Sequence, residues 1–133
     1  MVKKLNIYKF STVPIGVAVV IGLTFTMVVL PSNAVGQSKI VSIVKGASNP
    51  SSTEPYNPSP LSVPVGTIVT WINNDNTGHT VTQGNPSGNT PPNGFDSSIL
   101  APGKTFTHTF GTAGTIQYYC TLHPTMLGEV IVK

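Results

Sequence analysis

Between residue 39 and the C-terminal end, short β-branched and aromatic runs are separated by Gly, Pro and Asn about every ten residues, too closely for anything but strands and turns. Residues 39–44 (Lys-Ile-Val-Ser-Ile-Val) read as a first strand ended by Gly46. Residues 47–60 carry Pro50, Pro55, Pro58 and Pro60 among Ser, Asn and Thr. They read as surface loop, because proline has no N–H to give to a ladder. Residues 61–63 and 67–73 flank the turn Pro64-Val65-Gly66, and the second run alternates Thr67, Val69 and Trp71 against Ile68, Thr70 and Ile72. A strand is expected to begin at His79. Residues 83–94 form a Gly, Pro and Asn connection, and apolar character resumes over residues 95–100. Residues 104–110 place Phe106, His108 and Phe110 on one face and threonines on the other. Residues 115–120 and 129–132 complete roughly eight strands, which predicts an all-β, two-sheet Greek-key sandwich.

The most loaded stretch is Gly114 to Gly128, where the chain's only cysteine stands in the series Cys120-x2-His123-x2-Met126. Taken singly, Cys120 reads as a buried small hydrophobe, His123 as a loop residue and Met126 as core filler. Together on one tight loop, a thiolate, an imidazole and a thioether suit copper, and a trigonal copper site asks for a second histidine from elsewhere in the fold. His79 is that candidate. It stands at a strand start after the Asx-rich turn Asn73-Asn-Asp75-Asn-Thr-Gly78. The strand order puts residues 101–103 near Cys120 and the 84–94 loop at the opposite pole. His108, between two inward phenylalanines, is expected to be a structural, partly buried imidazole.

The first third of the chain has another character. Lys3, Lys4 and Lys9 precede an uncharged apolar run from Val13 to Leu30, followed by Ser32-Asn33-Ala34 with small residues at −3 and −1. Residues 1–34 read as a signal peptide or, because the run is long, an N-terminal membrane anchor. The remaining domain, residues 35–133, then carries four lysines against four acids. The formal charge of +3 therefore comes from the leader, and no basic face for nucleic acid remains. One cysteine in an exported domain has no internal disulfide partner, which again points to a ligand.

The segments Trp71-x-Asn73-x-Asp75-x3-His79-Thr80-Val81, Gly114-Thr115-x2-Tyr118-x-Cys120, Cys120-x2-His123-Pro124-x-Met126 and Gly128-x-Val130-x-Val132 together resemble the plastocyanin-like cupredoxins, and the ligand loop is most similar to that of amicyanin. The resemblance implies one copper ion held by His79, Cys120, His123 and Met126, no catalysis, and one-electron exchange with redox partner proteins outside the cytoplasm. One position departs from the pattern. Thr80 stands where many family members have Asn, so its backbone N–H is expected to donate to the Cys120 sulfur while its hydroxyl replaces the amide that ties the two ligand loops. Partners are expected to meet a monomer at an apolar surface around His123 made of Leu100, Pro102, Leu122 and Pro124. A copper delivery or storage module is the alternative. A thiol enzyme is disfavoured because Cys120 and His123 sit too close on one loop, and a multicopper oxidase because three histidines cannot furnish a trinuclear cluster.

Overall fold

The computed structural model describes residues 36–133, and the export segment expected over residues 1–34 lies outside them. Among the described residues there are eight strands and no helix: β1 (Ser38–Ile43), β2 (Tyr56–Asn57), β3 (Leu61–Val63), β4 (Thr67–Asn73), β5 (Thr82–Gln83), β6 (Thr105–Phe110), β7 (Gly114–Tyr119) and β8 (Leu127–Val132). They form two four-stranded sheets, in the orders β2-β1-β4-β6 and β3-β8-β7-β5. β1 runs parallel to β4 and β3 parallel to β8, while the other pairs are antiparallel. The all-β sandwich read from the sequence is therefore the fold.

β4 shows how the two-residue period makes the sandwich. It is hydrogen-bonded on both sides, and Thr67, Val69, Trp71 and Asn73 are buried while Ile68, Thr70 and Ile72 are half-buried. Its inward face supplies the centre of the core. Trp71 has ring-centroid distances of 5.4 Å to Tyr118, 5.8 Å to both Phe95 and Phe106, and 6.2 Å to Phe110. Rings in contact at these separations add about 0.5–1.5 kcal/mol per pair beyond the area they bury. Val41, Ile43, Val81 and Val130 are fully buried around them.

Two glycines make this packing possible. Gly66 occupies the third position of the Pro64–Thr67 turn with φ of 87°, and the Thr67 N–H closes the turn on the Pro64 carbonyl at 3.2 Å. That turn carries the chain from the second sheet into the first, so β3 and β4 are not paired with each other. Gly128 lies opposite Tyr118 in the β7–β8 register, and a Cβ there would land on the Tyr118 ring.

Two sequence expectations change and one holds. Within the 47–60 loop, Tyr56 and Asn57 pair with Ile43 and Ser42, because Tyr56 turns its ring into the core against Tyr118 at 4.9 Å. The strand expected from His79 is reduced to Thr82–Gln83, and residues 95–100 contribute only the isolated bridges Thr82 to Asp96 and His79 to Leu100. Side chains hold much of that stretch: the Val81 N–H donates to Ser97 Oγ at 2.8 Å, and Phe95 N–H to Gln83 Oε1 at 3.3 Å. His108 is half-buried, 4.6 Å from Phe95 and 4.9 Å from Phe110 between ring centroids, in the setting the alternation implied.

Candidate metal centre

The site is built where the turn after β4 meets the loop between β7 and β8. Asn73, the last residue of β4, is buried, and its side-chain N–H groups donate to the carbonyls of Thr77 and Leu100, both at 2.8 Å. Its Oδ1 accepts the Asp75 N–H at 3.0 Å. One side chain thus folds the 73–79 turn and ties it to the segment entering β6. His79 completes that tie: its N–H donates to Leu100 O at 3.1 Å, and Leu100 N–H donates back at 2.7 Å. Gly103 N–H donates to Asn73 O at 2.7 Å, so residues 100–103 lie against the His79 turn, as the strand order required.

Asp75 orients the His79 ring. Its Oδ1 accepts the Gly46 N–H at 2.9 Å and the Asn76 N–H at 2.8 Å, and its Oδ2 accepts the Thr77 hydroxyl at 3.2 Å and lies 2.9 Å from His79 Nε2. Burial pushes the Asp75 carboxyl up, but these donors outweigh it and hold the group well below the usual carboxylate range. An ionised carboxylate only accepts, so His79 carries its proton on Nε2 and leaves the Nδ1 lone pair free. That lone pair faces the cysteine, with Nδ1 3.9 Å from Cys120 Sγ.

The second loop is closed at both ends. Cys120 N–H donates to Met126 O at 3.1 Å, and Met126 N–H donates to His123 O at 2.8 Å across a turn with Pro124 at its second position, where the fixed proline φ fits. This brings His123 Nδ1 to 3.6 Å from Cys120 Sγ. The three donor atoms of His79, Cys120 and His123 lie within 4.8 Å of one another. His79, Cys120 and Met126 are buried, while His123 is half-buried.

Thr80 behaves as its sequence position implied. Its N–H donates to Cys120 Sγ at 3.3 Å, and its Oγ1 accepts the Thr121 N–H at 2.8 Å. Tyr56, which the sequence reading left in a loop, donates its hydroxyl to Thr80 O at 2.7 Å. Burial, then the Cys120 and Tyr118 charges, push the Tyr56 hydroxyl far above its ordinary value, so it stays a donor. Asp75 was legible only as part of an Asx-rich turn, although its four-residue spacing from His79 was a usable signal.

Residues 48–133 match the copper binding proteins of the plastocyanin/azurin family. The chain belongs to that family. This cupredoxin is 33% identical over 84 residues to the chloroplastic plastocyanin of Tetradesmus obliquus and 35% identical over 78 residues to the amicyanin of Paracoccus denitrificans. Each alignment spans 59% of this chain and 58% of the relative, so the chain covers little more than half the length of those proteins. Among solved structures, a purple cupredoxin from Nitrosopumilus maritimus is similar with a TM-score of 0.65 and 33% identity, covering 71% of this chain and 99% of the other. A Cu(I) amicyanin variant has a TM-score of 0.56 at 28% identity, covering 72% and 82%. The family binds copper, and the donors here fit that ion. One thiolate, two imidazole nitrogens and a buried thioether are soft and borderline ligands, whereas a hard cation takes oxygens and a structural zinc site usually takes several cysteines.

The expected docking surface needs one correction. Leu100 is only 6% exposed, because its backbone is bridged to His79 and its side chain turns into the core. Its neighbour Ile99 faces outward instead, 65% exposed, and lies close over Gly78. Pro102, Leu122 and Pro124 are exposed.

Proposed function

We propose that this cupredoxin is a type 1 blue-copper electron carrier, in which His79 Nδ1, Cys120 Sγ and His123 Nδ1 would hold the copper strongly and the Met126 thioether weakly. The observation that carries the reading is the convergence of those three donor atoms beneath the Thr80 N–H. Copper supplies a one-electron Cu(I)/Cu(II) couple. The protein's part is to hold the donors still: Asp75 fixes the His79 tautomer, the Thr80 N–H rests on the thiolate, and the paired turn bonds close the 120–126 loop. Rigid ligands change little between oxidation states, which keeps electron exchange fast, and the half-buried His123 ring offers the edge through which an electron leaves. Full burial of Cys120 and His79 suits retention of the ion better than the release a delivery or storage module requires. A lysine-flanked apolar stretch within residues 1–34 supports a location outside the cytoplasm.

A visible spectrum of the copper-loaded protein tests this directly. An intense sulfur-to-copper charge-transfer band, lost in Cys120→Ser and kept in Met126→Leu, is the expected result; the weak absorption of a tetragonal copper site would end the reading.

Partners are expected at the uncharged surface of Ile99, Pro102, Leu122 and Pro124 around His123. Weak redox encounters use small interfaces, and an apolar one is insensitive to screening. Leu122→Asp should therefore slow electron transfer to the partner far more than raising salt from about 0.01 to 0.2 M does. A steep salt dependence with an unaffected Leu122→Asp rate would relocate the contact.

A further inference from the structure

The hydroxyls around Thr80 form a chain whose direction is determined. Thr82 Oγ1 donates to Asp96 Oδ1 at 3.1 Å, and a carboxylate oxygen only accepts, so the one proton of Thr82 is committed there. The contact between Thr80 Oγ1 and Thr82 Oγ1, at 3.0 Å, then has Thr80 as its donor. With its own proton spent, Thr80 Oγ1 is purely an acceptor toward Thr121, whose N–H reaches it at 2.8 Å and whose hydroxyl lies at 3.2 Å. Every donor points the same way, from the residue after Cys120 to an exposed acid. Thr80 and Thr82 are buried, at 3% and 6% exposure, which keeps water from competing for the inner links.

We propose that Asp96 is a positioning residue for the copper-ligand loop, acting at a distance through Thr82 and Thr80. A hydroxyl that donates to a good acceptor becomes a better acceptor itself, so a carboxylate at the end of the chain strengthens each link behind it. The last link seats the Thr121 N–H, and the backbone of the same Thr80 holds the Cys120 sulfur. Asp96 is itself held in place by the Ser98 N–H at 3.0 Å and by the Thr82 to Asp96 bridge. The chain thus joins Asp96 to the ligand loop through Thr82 and Thr80. Its structural half is independent of the copper reading; only the consequence for the copper rests on it.

The test separates the two. In the metal-free protein, Thr82→Val removes the hydroxyl while keeping shape and the Asp96 charge. The Thr121 amide proton should move upfield and exchange roughly three- to tenfold faster, the equivalent of one weakened hydrogen bond. Asp96→Ala should produce the same change, and the double variant no more than either single one. In the copper-loaded protein, Thr82→Val should lower the reduction potential, because a loosened Thr80 N–H withdraws less density from the sulfur. A Thr121 amide indifferent to both substitutions, or additive effects of the two, would overturn the proposal whatever the copper does. Amide changes as expected with an unmoved potential would keep the chain and remove its influence on the copper.

Discussion

The candidate metal pole and the aromatic interior are held by different physics, although they share β4. At the pole three side chains are held by particular polar partners: Asn73 uses both side-chain donors and its acceptor, Asp75 accepts four bonds, and Thr80 serves Cys120 and Thr121 at once. In the interior Trp71 instead meets four rings at tilted or edge-on angles, and its buried Nε1 has no hydrogen-bond partner. Hydrogen bonds set orientation, whereas packing sets volume and total stability. Damage to the two regions should therefore separate: one set of substitutions changes the metal and leaves a folded protein, the other unfolds the protein and leaves the metal site of the folded fraction intact.

The sharpest way to break that contrast is Trp71→Ala. Emptying the centre of the core should lower unfolding stability by about 4 kcal/mol, read from denaturant midpoints. The charge-transfer band of the molecules that remain folded should not move. A band shift as large as one from a substitution at the pole would show that the two regions are coupled. Next in size is Asp75→Ala, which leaves His79 Nε2 without its carboxylate. Copper affinity, measured by competition with a chelator, should fall about 10- to 100-fold. The accompanying loss of stability should stay near 1–3 kcal/mol, the cost of leaving buried donors unpaired. Unchanged affinity would reduce Asp75 to a turn former.

The smallest effect belongs to the third histidine. Burial against Phe95 and Phe110 holds the His108 imidazole below its ordinary value. The unfolded chain then binds that proton more readily than the folded one. The contribution is fully present above about pH 6.5, declines as pH falls below it, and levels off once the folded imidazole is also protonated. His108→Phe should make the stability curve of the metal-free protein shallower over that window without altering the charge-transfer band. A steeper curve would mean that His108 is stabilised in its charged form.

The fold class was legible because alternation in residues 67–73 and 104–110 is a local property, set by which face of a strand each residue occupies. The extents of the less regular pieces were not. Nothing local distinguishes Tyr56 in a proline-rich loop from a ring that packs on Tyr118, and the strand expected at His79 gives way to a mixture of backbone and side-chain bonds to residues 95–100. Leu100 and Ile99 are both apolar neighbours, and only the bridge to His79 decides which of them faces solvent.

What the sequence determined by itself is whatever depends on short separations: strand periodicity, the turn at Gly66, and the spacing that closes Cys120 to Met126 into one loop. The tertiary structure decided whatever joins distant segments, since a hydrogen bond's partner depends on where two chains cross. It alone brought His79 Nδ1 to Cys120 Sγ across 41 residues, set Asp75 between Gly46 and His79, and aligned the Thr80 and Thr82 hydroxyls on Asp96.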